Sequence, residues 1–355
     1  MSIFSRLRRP RVAPRTKRLV TGALRREEVI AGIELLLGRA PASEFEIEET
    51  LRLPNIQQLV EYLIRSAEFR KRYKLMSQIE PAWAKGRVEV ERPASIFLGD
   101  RVFCWTHRGQ PLYVVPQDVD LTPRILANGA WELHVEQVML RFARPGNTVI
   151  DLGANVGYYT IILCAAVSPK GIVYAFEAHP DLVRLLKATI HVNGFGDLIE
   201  LHGCAVSDQP GTLTLALSPD HYGSGNVVPG GSNAGYDEGY PIRLQVPAVT
   251  LDQTLGERIR AVDLMHLDIE GSEPLALRGA QALIERSPGI KIITEWSVAM
   301  MGAHVDLGEY VAWLDGLGFR FWLIDRETAQ LSPVERTGLV HLPHCDLLLS
   351  RTDPG

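Results

Sequence analysis

The sequence predicts an α/β protein built on an open, doubly wound sheet, with a small α-helical unit ahead of it. Three observations carry that reading. The β-prone run Thr148-Val149-Ile150 ends in Asp151 and stops at a turn bracketed by Gly153 and Gly157. Apolar residues then recur at helical spacing, at Tyr159, Ile162, Leu163 and Ala166, so a buried strand feeds a helix. The unit repeats: Ile172-Val173-Tyr174-Ala175-Phe176 reads as a second strand, and Pro180 opens an amphipathic helix carrying Leu182, Leu185, Leu186 and Ile190. In such sheets ligands bind beyond the carboxyl ends of the strands.

Composition sets the outer bounds. At 355 residues the chain can hold one large α/β domain and a smaller unit, and its net charge of -5 gives no global attraction to nucleic acid. No apolar run approaches the ~20 residues that span a membrane, and no cleavable signal pattern opens the chain. Cys104, Cys164, Cys204 and Cys345 are scattered, without metal-ligand or redox spacing, so a reducing cytoplasm is the expected setting.

Taken in order, residues 1–20 are a basic tail (Arg6, Arg8, Arg9, Arg11, Arg15, Lys17, Arg18) without an acid. Like charges repel, so the tail reads as disordered and solvated, or else as a weak, salt-sensitive contact with an anionic surface. Residues 21–75 read as a helical unit. Val29, Ile33 and Leu36 form one stripe, which Gly38 stops. Asn55 caps a second stripe (Ile56, Leu59, Val60, Leu63, Ile64), and Ser66 opens a third with Phe69 and Tyr73. The wording Leu36-Leu37-Gly38-Arg39-Ala40-Pro41 with Ser66-Ala67-Glu68-Phe69 is similar to a short helical domain of unknown function often joined to bacterial glycan-modifying enzymes. Residues 76–93 read as a linker, and 94–355 as the main domain.

That domain starts with β-prone pairs (Ile96-Phe97, Val102-Phe103), then a helix from Trp131 to Phe142. Leu198 to Val206 reads as a third strand, Thr212–Leu217 and Ile242–Val249 as a hairpin, and Val262–Asp268 as the fourth strand, beside the first. Ile290–Thr294, ending at Glu295, is the fifth. A helix around Tyr310, Val311 and Leu314 and strands at Phe319–Ile324 and Leu347–Leu349 complete the sheet. The long loop Ser218–Pro241 is either disordered or a lid, with His221, Tyr222 and Asn226 as contacts.

The chemistry of the first turn is selective. A diphosphate wants Gly-x-Gly-x-x-Gly and a helix N-terminus clear of negative charge. Here the pattern is Asp-x-Gly-x-x-x-Gly, and Asp151 would repel phosphate and attract an ammonium or sulfonium cation. Glu177, at the end of the second strand, is placed to accept hydrogen bonds from a ribose diol. Ala205 and Asp208 close the third strand, where Asp208 or a nearby backbone group meets an adenine amino group, or else forms a turn with Pro210 and Gly211. Asp268 and Glu270 follow the fourth strand as candidates to orient an acceptor oxygen and take its proton.

Asp151-Leu152-Gly153-Ala154-Asn155-Val156-Gly157-Tyr158-Tyr159-Thr160 resembles the first motif of the FkbM-type S-adenosylmethionine-dependent methyltransferases. Val249-Thr250-Leu251-Asp252 fits the same family, as do Leu267-Asp268-Ile269-Glu270-Gly271-Ser272-Glu273 and Arg278-Gly279. The resemblance covers roughly residues 95–350 and implies a Rossmann-like class I methyltransferase sheet. It implies S-adenosylmethionine as the methyl donor, held by Asp151, Gly153, Ala154, Asn155, Gly157, Glu177, Ala205, Asp208 and Asp268. It also implies a hydroxyl acceptor on a sugar, glycan or small metabolite.

Trp131 and Glu132 resemble a family position beside the cofactor pocket, or are a helix cap. His266 departs from the family, where lysine usually stands two residues before the acid; it is either a base for catalysis or a satisfied core histidine. Asp268, Glu270 and Glu295 are also oxygen donors suited to Mg²⁺ or Ca²⁺. That alternative is not favoured, because no tight ligand motif is present. Trp296, Met300, Met301 and His304 are either an acceptor wall or core. Two other classes stay open on the sequence alone, a nicotinamide-dependent oxidoreductase on the same sheet and a non-catalytic scaffold.

Overall fold

The computed structural model describes residues 24–37, 39–53, 58–59, 62–63, 66, 95–228 and 240–355. The basic tail, the Gly38 stop, the Asn55 cap, most of the third helical stripe, the linker and the middle of the long loop lie outside them. The chain divides into two compact units, Met1–Val90 and Glu91–Gly355. In the smaller one, α1 (Arg26–Leu37) and α2 (Glu44–Thr50) bring Val29, Ile33 and Ile47 into a core that also takes Leu59 and Leu63. The sequence reading missed α2. Its signature is a serine N-cap: the Glu46 N–H donates to Ser43 Oγ at 3.2 Å, while the Glu46 carboxylate accepts the Ala42 N–H, one residue before the cap, at 2.6 Å and pairs with Arg39 at 2.8 Å.

The larger unit opens with a three-stranded antiparallel sheet, β1 (Ile96–Phe97), β2 (Val102–Trp105) and β3 (Pro111–Val114). Two helices follow, α3 (Leu121–Asn128) and α4 (Leu133–Phe142). Then comes the alternation expected of a doubly wound fold. It runs β4 (Thr148–Leu152), α5 (Tyr158–Val167), β5 (Ile172–Phe176), α6 (Pro180–Asn193) and β6 (Ile199–His202). β4 and β5 are almost wholly buried, because helices cover both sheet faces, whereas β6 at the sheet edge is half-buried. His179 caps α6, its Nδ1 accepting the Asp181 N–H at 3.2 Å.

The expected third strand is two strands. It breaks after His202, and β7 (Ala205–Val206) leaves the main sheet to pair in parallel with β10 (Ile242–Val249). β8 (Gly211–Leu217) and β9 (Asn226–Val227) complete this side sheet, ordered β7-β10-β8-β9. The Val249-Thr250-Leu251-Asp252 motif is scaffolding. Thr250 caps the short helix α7 (Leu251–Leu255), and the Asp252 carboxylate accepts the Ala282 and Leu283 N–H groups at 2.9 and 2.8 Å.

β11 (Leu264–Leu267) lies between β4 and β12 (Lys291–Trp296), as expected of the fourth strand. Between them α8 (Glu273–Arg278) and α9 (Gln281–Glu285) cross one face. After α10 (Val298–Met301) and α11 (Leu307–Gly316) come β13 (Arg320–Ile324), β14 (Leu331–Val334) and β15 (Cys345–Ser350). The eight-stranded order is β14-β13-β15-β12-β11-β4-β5-β6. β15 runs antiparallel to both of its neighbours, so the sheet is the mixed Rossmann-like sheet expected, with β14 added at one edge.

Candidate active site

A cavity of about 930 Å³, counting its open mouth, lies beyond the carboxyl ends of β4 and β5. The turn Leu152–Asn155 and the first residues of α5, Tyr158 and Tyr159, form its floor. Glu177, Ala178 and His179 form one side, Cys204, Ala205 and Val206 the next, and Asp268, Ile269 and Glu270 the opposite one. The side sheet contributes Leu215, Leu217 and Val227, and the long loop contributes Tyr222, Gly223 and Gly225. The described part of that loop thus contributes to the lining, with Tyr222 tilted on His179 at 5.7 Å. Asn226 is buried in β9 and His221 is exposed; neither lines the cavity.

The floor is shaped by backbone conformation. Gly153 has φ 80°, and a Cβ there would stand 1.9 Å from the Asp268 carbonyl oxygen. Gly157, at φ 98°, ends the turn and precedes α5. Asn155 takes φ 50°, a conformation its short polar side chain tolerates, and its Oδ1 accepts the Val156 N–H at 2.8 Å.

Glu177 is fixed by the same turn. Its carboxylate accepts the Asn155 N–H at 2.8 Å and the His179 N–H at 2.7 Å. Burial raises its pKa, and these backbone donors oppose that rise.

Asp151 does not line the cavity. It is fully buried behind the floor, accepting Thr160 Oγ1 at 2.5 Å and His266 Nδ1 at 2.8 Å. With both oxygens engaged, it acts on a bound cation only through its field and through the turn it anchors. His266 is likewise outside the cavity, with Tyr159 edge-on at 4.8 Å. Of the two readings its place fits the core histidine: the imidazole is buried outside the cavity lining, with Nδ1 held on Asp151. Asp208 is also absent from the lining; its neighbours Ala205 and Val206 supply that wall. Trp296 and Met301 are fully buried in the core, Trp296 stacked on Tyr310, so the acceptor-wall reading fails for them.

Acids crowd the opposite side. Burial pushes Asp268 well above the carboxylate range, reinforced by repulsion from Glu295, Glu270, Glu132 and Asp346. Glu270, in a left-handed conformation at φ 55°, is pushed up to about 7 by burial, then by Glu273, Asp120 and Glu132. Glu295 and Asp346 face each other across β12 and β15, one and two strands out from β11, which Asp268 follows, and both are outside the lining. Each carries a histidine, His344 on Glu295 at 3.2 Å and His134 on Asp346 at 2.9 Å. Among the described residues no group of three or more His, Cys, Asp or Glu is arranged to hold a metal ion. No helix among them is long and apolar enough to cross a membrane.

Two contributors escaped the sequence reading. Tyr158 lines the cavity, and Glu136, fully buried on α4, accepts its hydroxyl. A signal for Glu136 was present: it is an acid on the apolar stripe of a helix, flanked by Val135, Val138 and Met139, where a charge needs partners. Trp131 lines the cavity, whereas Glu132, at φ 34°, flanks α4 and meets the Tyr159 hydroxyl at 3.4 Å.

Against known proteins, the methyltransferase FkbM domain matches residues 151–321. The 31-O-demethyl-FK506 methyltransferase FkbM of Streptomyces tacrolimicus is 30% identical over 217 residues, 53% of this chain and 79% of that protein. Among solved structures, the methyltransferase FkbM from Methylobacillus flagellatus KT is 16% identical with a TM-score of 0.37, over 65% of this chain and 55% of that one. The O-methyltransferase from Bacillus cereus in complex with SAH is 14% identical with a TM-score of 0.35, over 61% and 78%.

Proposed function

The chain belongs to the FkbM family of S-adenosylmethionine-dependent methyltransferases, and from that premise we propose that the group it methylates is a hydroxyl of a sugar or glycan. The observation that carries this is one cavity shared by three features: the glycine floor, the Glu177 carboxylate, and the Asp268–Glu270 acids opposite. The residues fit the donor. The floor leaves no room for a side chain at Gly153, Glu177 would hold the ribose hydroxyls, and the apolar Ala205–Val206 wall would take the adenine.

S-adenosylmethionine supplies an electrophilic methyl group on a sulfonium centre. Bound in this cavity, it would offer that methyl group to an acceptor oxygen, with the sulfur as leaving group. The hydroxyl proton passes to a carboxylate. Glu270 suits that task, since a pKa of about 7 is poised for proton transfer at neutrality. Asp268 orients the acceptor, and a cationic donor beside it offsets the repulsion from its acidic neighbours. Tyr222 and its loop limit water at the reacting atoms.

Support for a hydroxyl comes from the Streptomyces relative, whose name describes methylation of an O-demethylated compound. The sugar or glycan class is favoured by the wording of the helical unit. The basic tail would add a weak, salt-sensitive contact with an anionic surface. Titration with S-adenosylhomocysteine, then a screen of glycan and small-alcohol acceptors with labelled donor, tests the reading. Binding with label transferred to oxygen supports it; label found on nitrogen or carbon would overturn the hydroxyl assignment.

A further inference from the structure

We propose that Glu136 is a positioning residue for the donor's amino-acid end, acting through Tyr158; this rests on the reading of the cavity as the donor site. Glu136 lies in the first turn of α4 and is fully buried. A buried carboxylate persists only when donors surround it. Three do: His107 Nε2 at 3.0 Å, Arg108 Nε at 2.5 Å and the Tyr158 hydroxyl.

These donors come from separate parts of the fold. His107 and Arg108 occupy the turn between β2 and β3. That turn is pinned on the α3–α4 connection by the His107 N–H donating to the Gly129 carbonyl at 2.6 Å. It also reaches α5, where Gln110 Nε2 donates to the Ile161 carbonyl at 3.2 Å. Tyr158 is the first residue of α5, directly after Gly157, and its ring lines the cavity. Trp131, two residues before α4, lines the cavity too.

One hydroxyl thus ties α5 to α4 next to the Leu121–Trp131 stretch of lining, whose neighbours Asp120 and Glu132 act on Glu270. Packing alone would hold a phenyl ring there. The hydroxyl, with the buried Glu136 carboxylate behind it, fixes where the ring stands against α4. The adenosine portion lies with Glu177 and the Ala205 wall, so the Tyr158 side falls to the amino-acid end.

Tyr158→Phe keeps the ring and removes the hydrogen bond to Glu136. Isothermal titration of the full-length chain with S-adenosylhomocysteine should give a Kd about tenfold higher. The Kd for 5′-methylthioadenosine, which lacks the amino-acid end, should stay within about twofold. Glu136→Gln should act in the same direction, and the double variant should bind no more weakly than the weaker single, because both act through one phenol. Equal losses for the two ligands would show general damage to the cavity and overturn the proposal. So would an unchanged Kd in Tyr158→Phe, or additive losses in the double variant. Tyr158→Phe decides alone if Glu136→Gln does not fold. A wild-type chain that binds neither ligand would refute the donor-site reading itself, an outcome distinct from these.

Discussion

Glu270 is where proton chemistry and acidity coincide, and its titration gives the most direct test of the site. A base must be ionised to accept a proton, so kcat/KM should rise with pH to a plateau above about 7. Glu270→Gln should flatten that limb and lower kcat about 10²- to 10⁴-fold while leaving S-adenosylhomocysteine affinity intact; a rising limb that survives in the variant would move the base elsewhere. Asp151 teaches the opposite lesson. Its place at the end of β4 was legible, but its partners were not, since Thr160 and His266 lie 9 and 115 positions away. Asp151→Ala strands two buried donors, at about 1–3 kcal/mol each, so it should lower the melting temperature of the ligand-free chain as well as donor affinity. Calorimetry without ligand separates the two effects, and an unchanged melting temperature would count against the buried network.

At the level of elements, the glycine turn is the least replaceable piece. Gly153→Ala requires both a left-handed backbone and a methyl group 1.9 Å from the Asp268 carbonyl oxygen. Because that carbonyl belongs to the acid loop, the substitution should push floor and acids apart. Loss of both S-adenosylhomocysteine binding and methyl transfer is expected, and retention of either would show that the loop can yield. Strand–turn–helix units were readable because their period and punctuation are local: β4, α5, β5 and α6 fall where the apolar spacing put them. The split between β6 and β7 was not readable. Nothing in Leu201–Val206 says that β10, some forty residues later, competes for the second half of the strand. α2 is hard to read for another reason: in its seven residues only Phe45 and Ile47 are apolar, so no stripe marks it and the Ser43 cap is its one local signal.

Over the whole molecule, the acids on one side of the sheet carry a pH-dependent cost. Glu295 is pushed up to about 9, first by burial and then by Glu270, Glu273, Asp346 and Glu132. Its folded-state pKa exceeds the unfolded value of about 4.3, so its contribution is fully present below that pH and is lost as pH rises toward 9. Glu295→Gln stays neutral at every pH. It should therefore melt several degrees higher than the parent near pH 8 and at nearly the same temperature near pH 5. Equal gains at both pH values would mean that packing rather than charge is responsible. Surface pairs such as Arg258 with Glu200 do not offset this, because exposed pairs contribute little. The row of acids was only partly legible: Glu295 was singled out, but Asp346 arrives on a strand that enters the sheet from the opposite direction.

The migration of β7 from one sheet to the other has a consequence for how occupancy is felt. Ala205 and Val206 sit at a seam, hydrogen-bonded to β10 while resting against the ends of β4 and β5. Anything that fills the space between them braces two sheets that otherwise meet through side chains. Protection of backbone amides along β8 and β10 should then deepen when the donor analogue binds, although most of those amides never touch it.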